Sequence, residues 1–399
     1  MYIVERTFVW IIRTGIFLLL FTPLIVAQDL FFPFITGKAF FFRIIVEIIF
    51  GAWLSLAILN PEFRPRKSPL LWVLLAFFSI VVIATIFGAD PYHSFWSNFE
   101  RMEGLVTHLH IFALFVVIAH SFKSQKEWFY FFNASLAISL ISAVYGLLQS
   151  MGKVPIIGGG RPFAFFGNSI YLAVYLMFHL FIASALFNKI RITWARITYA
   201  VIFLFELFVF FLAASRGAFI GLCSGVVVIA LLFLFFLRSK YFRIAGIAII
   251  LCISVLAGVI IFFPESPIVQ MSGIFNRLTN ISLSSLKDDP RIMIWGIAWE
   301  GFKEKPVLGW GPENFIIPYA KYYNPNLFGN EAWFDRAHNM LLEWLVTTGI
   351  SGFLLYIGMS LSALALLIKF VRSKKLDIIT AIIIAGVFCC LYCAEYLCF

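Results

Sequence analysis

Charge is scarce in this sequence. Charged residues make up 13% of the 399 positions, against 62% hydrophobic, and a soluble domain of this length would carry roughly twice that charge. A water-soluble core cannot absorb so much apolar surface, and the apolar runs recur from end to end, each near the ~20 residues that span a bilayer. Acid is scarcer than base, with Asp plus Glu at 20 and Lys plus Arg at 30, for a formal net charge of +10. In such a chain that excess is no nucleic-acid signal, because Lys and Arg gather in the cytoplasmic loops of membrane proteins. The six cysteines form no framework: Cys389, Cys390, Cys393 and Cys398 sit in the last apolar run. No Cys/His spacing of a metal site accompanies them, so they are small apolar side chains in a helix. Low-complexity segments and short-period repeats are missing as well. The N-terminal apolar run is long for a signal-peptide core and lacks a small-x-small cleavage site, so it is taken as a helix.

What is there is a succession of eleven apolar spans, at 8–27, 39–59, 70–88, 104–121, 128–150, 168–187, 194–214, 217–237, 242–263, 350–370 and 376–398. They give an N-terminal bundle over 1–263, one long polar stretch over 264–349, and a C-terminal pair over 350–399. Every second connection is rich in base: Arg64, Arg66 and Lys67; Lys123 and Lys126; Lys189, Arg191 and Arg196; Arg238, Lys240 and Arg243; Arg372, Lys374 and Lys375. These are cytoplasmic by the positive-inside rule. The N-terminus is then cytoplasmic and 264–349 faces outward. Arg101, Arg161, Arg216, Arg291 and His338 all fall on the outer face, where topology does not favour cations, and a common anionic ligand would account for them.

Within the long stretch, 288–302 is expected to be helical. Asp289 suits the N-cap and Pro290 the first turn, and Ile292, Trp295, Ala298, Trp299 and Phe302 recur at helical spacing. Two readings of that stripe stand: a helix lying in the membrane interface, or one packed on the bundle. Either way Arg291 sits at a helix N-terminus, where free N–H groups favour an anion. The run Pro306-Val307-Leu308-Gly309-Trp310-Gly311-Pro312 is a turn without the strand–helix setting of a nucleotide loop. Asp335-Arg336-Ala337-His338-Asn339 then leads into an apolar stretch that Gly349 and Gly352 are expected to break. The other histidines, His93, His108, His110, His120 and His179, show no metal-ligand spacing, and His108 and His110 point to different helix faces. Arg216, in Ala213-Ala214-Ser215-Arg216-Gly217-Ala218, stands between two apolar runs with almost no loop. It is either a snorkelling residue of a tight hairpin or a cation held for a purpose. Gly217, Gly221 and Gly225 suit close helix packing.

Ser215-Arg216-Gly217, Asp289-Pro290-Arg291 with Trp295, the Pro306–Gly311 run, and Arg336-Ala337-His338-Asn339 with Gly349 and Gly352 together resemble the O-antigen ligase and polymerase superfamily. Asn98-Phe99-Glu100-Arg101-Met102-Glu103-Gly104 and Gly160-Arg161-Pro162-Phe163 with Gly167-Asn168 resemble one of its branches. The resemblance runs from about residue 95 to 370 and rests on the order and shared face of short motifs. It implies an all-α membrane fold of the glycosyltransferase-C type, a bundle of about 11–12 transmembrane helices with a long, partly helical periplasmic loop. It implies a polyprenyl-diphosphate-linked glycan as donor. The acceptor is a glycolipid, a glycan or a protein, and transfer takes place on the outer face of the bacterial cytoplasmic membrane without metal or cofactor. By motif, the functional histidine and two arginines of the ligases fall on His338, Arg216 and Arg291; Arg161 and Arg101 follow as donor-binding candidates.

The chemistry suits these residue types. Departure of a diphosphate builds negative charge that fixed guanidiniums offset, and an imidazole suits removal of the acceptor's hydroxyl proton. In-line attack would invert the anomeric centre. Ligase, polymerase and protein oligosaccharyltransferase differ only in acceptor. A transporter of anions or lipid-linked glycans is the rival from another class. It would carry broken helices and polar groups near the midplane, where Glu47 and Glu206 are the main acids.

Overall fold

The computed structural model describes residues 2–156, 160–237, 239–279, 290–328, 333–373, 379–380 and 382–387, and among these it holds helices and no strand. In chain order the helices are α1 (Tyr2–Leu19), α2 (Thr36–Leu59), α3 (Pro69–Ile86), α4 (Pro91–Trp96), α5 (Leu105–Ser121) and α6 (Gln125–Ser150). There follow α7 (Ser169–Lys189), α8 (Thr193–Leu212), α9 (Arg216–Phe236), α10 (Lys240–Phe262), α11 (Pro267–Met271) and α12 (Gly273–Thr279). The last are α13 (Pro290–Glu304), α14 (Ile316–Lys321) and α15 (Met340–Arg372).

Eight of these are long and apolar enough to cross a membrane: α2, α3, α6, α7, α8, α9, α10 and α15. Helix α5 is apolar but one residue short of the 18 of α3. The chain is an all-α integral membrane protein. Large apolar side chains such as Ile58, Leu204, Phe235 and Val255 stand exposed on the long helices, as they do where the solvent is lipid. The first expected span, 8–27, instead forms a helix over Tyr2–Leu19 that gives way to a short 3₁₀ turn at Thr22–Leu24. Pro23 lies in that turn, and a proline offers no N–H to continue an α-helix. Of the eleventh expected span, 382–387 are helical, and its cysteines lie outside the described residues.

Local chemistry starts the helices where it should. Ser68 Oγ accepts from Leu71 N–H ahead of Pro69. Asp90 Oδ1 accepts from His93 N–H ahead of Pro91, and Asn168 Oδ1 accepts from Ile170 N–H. Each side chain satisfies an N–H that the first turn leaves without a partner.

The chain divides into two compact units. The first joins residues 1–138 with 290–363, and the second joins 139–289 with 364–399. The long polar stretch is shared out: α11 and α12 belong to the second unit, α13 and α14 to the first. In the first unit Ile12, Ile16, Ile49, Trp53, Leu56 and Val117 pack α1, α2 and α5 together. A separate cluster of Ile294, Ile297, Trp310, Phe315, Tyr319 and Phe334 builds the polar stretch into a folded body. In the second unit Leu172, Leu176, Met177, Val209, Phe210 and Ile274 form the core.

Candidate functional site

The site residues expected from sequence fall into two groups, one in each unit. In the first unit the Asp335–Asn339 segment is pinned at both ends. Phe334 and Ala337 are buried in the cluster that holds α13. The Ala337 N–H donates to Glu343 Oε2 at 2.7 Å. Asn339 Oδ1 accepts from the N–H groups of Leu341 and Leu342, at 3.1 and 3.3 Å, and so caps α15. Between these anchors His338 adopts φ +50°, a left-handed conformation that costs a non-glycine residue roughly 1–3 kcal/mol. Among the described residues the other non-glycine positions with positive φ are Ser97, Met102, Ala164, Ala214 and Glu313. Met102 lies within a motif, Ser97, Ala164 and Ala214 each adjoin one, and Glu313 pairs with Arg336.

Two ion pairs hold this segment to the Asn98–Gly104 loop. Arg101 grips Asp335 with two parallel bonds, Nε to Oδ2 at 2.7 Å and Nη2 to Oδ1 at 2.9 Å. Arg336 meets Glu103 at 2.8 Å and Glu313 at 2.5 Å, and Glu313 also accepts from Ser97 Oγ at 2.6 Å. Burial pushes the Asp335 carboxyl up, but the hydrogen bond and charge of Arg101 outweigh it and hold the group below its ordinary value. Burial likewise works against the Arg336 charge, and Glu103, Glu313, Glu343 and Asp335 together outweigh it, raising Arg336 above the usual arginine range.

His338 is pulled the other way, from 6.5 to about 4. Burial is the main cause. Asp335 opposes it, and the positive charges of Arg101, Arg291 and Arg336 add to it. The imidazole is therefore neutral at physiological pH. Its ring stands edge to face against Phe334 at 5.4 Å. Among the described residues no hydrogen bond reaches either ring nitrogen, which sets His338 apart from the other five histidines. Nδ1 of His108, His110, His120 and His179 faces the carbonyl one turn back on its own helix, and Nδ1 of His93 faces Asn314.

Arg291 is the second residue of α13 and bears electrostatically on His338. The expected capping residue Asp289 lies outside the described residues. Of the expected stripe only Ala298 is buried, Trp295 and Phe302 are partly buried, and Ile292 and Trp299 are exposed; the face that packs inward is Ile294, Ile297, Ala298 and Gly301. The helix thus packs on the folded body through a face that lies mostly beside the expected stripe and leaves Ile292 and Trp299 exposed.

The Pro306–Pro312 run has a packing role that its sequence did not disclose. Trp310 N–H donates to Val346 O at 3.0 Å, Gly311 N–H to Thr347 O at 2.8 Å, and Ile350 N–H to Pro306 O at 2.8 Å. The turn thereby takes over backbone groups that a break in α15 sets free. The break is at Gly349, with φ +66°. Gly352, expected to break the stretch too, is helical, and a Cβ there would meet the Thr348 side chain at 2.0 Å.

In the second unit Ala214 is the focus. It has φ +48°, and its carbonyl accepts from Arg161 Nη1 at 3.3 Å and from Arg277 Nη1 at 3.1 Å. Ser215 caps α9, its Oγ accepting from Ala218 N–H at 3.4 Å. Arg216 follows as the first helical residue and donates from Nη1 to the Arg277 carbonyl at 3.3 Å. Gln149 Oε1 accepts from the N–H groups of Phe163 and Ala164, at 3.0 and 2.7 Å, and so fixes the Arg161 turn. Burial, then the charge of Arg216, pulls Arg161 below its ordinary value. Burial, then Arg161 and Arg216, does the same to Arg277.

The structure therefore groups His338, Arg291 and Arg101 in one unit and Arg216 and Arg161 in the other. Of the carboxylates that tie down the histidine segment, Glu103 stood in a motif without a role of its own, and Glu313 and Glu343, like Arg277, were not singled out. A cue for Arg277 was available, since it is one more arginine of the 264–349 stretch. Nothing local marks Glu313 and Glu343, which meet the segment only through the fold.

With this geometry in view, comparison with known proteins finds that residues 199–357 match a family model described as O-antigen ligase. That span takes in Arg216, Arg277, Arg291 and His338. No curated protein matches the chain. The match supports the resemblance seen in the motifs and a membrane enzyme of the O-antigen ligase or polymerase type.

Proposed function

We propose that this chain transfers a glycan from a polyprenyl diphosphate to an acceptor hydroxyl on the outer face of the cytoplasmic membrane, with the N-terminus cytoplasmic. The observation that carries the reading is His338. It is the one histidine among the described residues with both ring nitrogens unengaged, it is neutral at physiological pH, and Arg291 lies in its electrostatic reach. A neutral imidazole without a competing hydrogen bond is in the state a general base requires.

In the proposed reaction the acceptor oxygen forms a bond to the anomeric carbon as the bond from that carbon to the diphosphate oxygen breaks. The acceptor proton passes to a ring nitrogen of His338. The electron pair of the broken bond stays on the diphosphate, whose growing charge Arg216 and Arg291 offset with planar, two-pronged donors. Attack opposite the leaving group inverts the anomeric centre, and no metal is required for charge neutralisation. Arg161 adds to the donor site from beside Arg216. Arg101 contributes chiefly through its charge, because two prongs of its fork are held by Asp335.

The test uses the purified chain in nanodiscs, a polyprenyl-diphosphate glycan and separate assays of donor binding and transfer. His338→Ala is expected to abolish transfer with donor affinity within about threefold of the parent, well under the 1.4 kcal/mol of a tenfold change. Full transfer by that variant would remove the histidine from the mechanism. Strict dependence of the parent on a divalent metal would contradict the arginine account. Offering lipid A core, a second lipid-linked glycan and a Ser/Thr peptide in parallel assigns the acceptor.

A further inference from the structure

The second unit holds more positive charge at one place than the reading above uses. Arg161, Arg216 and Arg277 come from a loop, the start of α9 and the short α12, and all three are knitted around the Ala214 and Arg277 carbonyls. All three are only partly buried. From residue 139 to 279 the sequence offers two carboxylates, Glu206 and Glu265, while Asp288 and Asp289 of the same unit lie outside the described residues. Glu206 lies within α8 and accepts from Ser139 Oγ. Among the described residues no carboxylate forms an ion pair with any of the three arginines. Their hydrogen bonds run instead to backbone carbonyls, which carry only partial charge.

Three like charges with no carboxylate paired to them among the described residues are costly in a half-buried place: burial and then the neighbouring guanidiniums pull Arg161 and Arg277 below their ordinary values. A protein keeps such an arrangement when a ligand supplies the missing charge. Several features prepare the cluster. Ala214 is kept in a strained conformation that directs its carbonyl to two guanidiniums. Gly273, at the start of α12, packs beside Ala214, where an added Cβ would make an ordinary contact at 3.4 Å. The start of the long helix α9 adds its free N–H groups.

We propose that Arg277 is a third phosphate ligand, completing with Arg161 and Arg216 a three-guanidinium cradle for a diphosphate. This rests on the donor reading above and deepens it. Each phosphate offers more oxygens than one fork can fill, so a third arginine lets both phosphates of the leaving group be held and their charge offset.

The test measures binding of inorganic pyrophosphate to the full chain in zwitterionic nanodiscs, by calorimetry, for the parent, Arg277→Gln, Arg277→Lys and Lys153→Gln. Loss of one charge-assisted contact weakens binding by about ten- to a hundredfold. We expect that loss for Arg277→Gln, a smaller loss for Arg277→Lys, and none for the control Lys153→Gln. The Arg277 carbonyl that receives Arg216 is retained in every variant, and a melting curve checks each for folding. Should Arg277→Gln not fold, the Lys variant carries the test, and unchanged affinity in it would count against a two-pronged contact. Affinity of Arg277→Gln within twofold of the parent, while Arg216→Gln loses it, overturns the role of Arg277 and leaves the donor reading intact. Failure of the parent to bind pyrophosphate while it still transfers glycan overturns the cradle and not the enzyme; failure of both overturns both. Repeating the titration with phosphatidylglycerol in the disc separates the sources: displacement of pyrophosphate by that lipid would assign the cradle to membrane headgroups and overturn the proposal.

Discussion

A buried imidazole ringed by guanidiniums resists taking up a proton, and this sets the pH behaviour expected of the site. The protonated form of His338 cannot act as a base, so the rate should fall only as the pH drops through the folded value of about 4, rather than through the ordinary value near 6.5. The profile of kcat/KM, which reports the free enzyme, should be flat from pH 7.5 to about 5.5. The acid limb of kcat should lie higher, because a bound diphosphate offsets the positive charge of Arg291 that now depresses the imidazole. A kcat/KM limb centred near 6.5 would mean that burial and the three arginines do not act on the ring as described. Asp335 and Asn339 find their roles at this scale too. One clamps Arg101 and the other caps α15, so both serve to hold His338 in its strained conformation.

Among elements, the seam between the Pro306–Pro312 turn and α15 is the feature on which the histidine segment depends. Gly309 and Gly349 both have positive φ, and each would drive a Cβ into the other strand of the seam. For Gly349 the distance to the Val307 carbonyl carbon is 2.3 Å, and for Gly309 the distance to that of Thr347 is 2.4 Å. The obstructing atoms are backbone and cannot swing aside. Gly349→Ala should therefore cost more than the roughly 1–2 kcal/mol of a left-handed alanine alone. It should lower the melting temperature in detergent and reduce transfer, since α15 begins at the residue after Asn339. Gly258→Ala, on α10 with nothing within 4 Å, serves as the control and should leave the melting point unchanged or slightly raised. Equal melting curves for the two variants would show that the seam does not bear on stability.

For the whole molecule the orientation is the quantity to test. The alternation of basic and base-poor connections predicts Asn326 outside and Ser239 inside. In a background free of native cysteines, a cysteine replacing Asn326 should react with an impermeant maleimide in intact spheroplasts. One replacing Ser239 should react only after permeabilisation. The reverse pattern would place the histidine segment on the wrong side of the membrane for a lipid-linked donor presented at the outer face, and would remove the proposed function with it.

Span positions were legible because a bilayer imposes one rule on every residue at once: backbone polar groups must be paired internally, and side chains must be apolar over a fixed length. Helices α2, α3 and α5 to α10 accordingly lie within a few residues of where composition alone put them. Helix starts at Ser68 and Asp90 follow equally local chemistry. The motif residues Arg216, Arg291 and His338 were found by order and likeness, without any view of their partners. What only the tertiary structure decided is long-range. The fork of Arg101 on Asp335 joins residues 234 apart, and the bond of Ser97 to Glu313 joins residues 216 apart. Gly349 and Gly352 look alike in sequence, yet one breaks a helix and the other continues it, because the difference lies in which backbone or side chain presses on each. Arg277 stands out only in three dimensions, where its carbonyl accepts from Arg216 and its guanidinium shares the Ala214 carbonyl with Arg161. Charge balance around a side chain is a sum over neighbours in space, and the chain's linear order does not contain it.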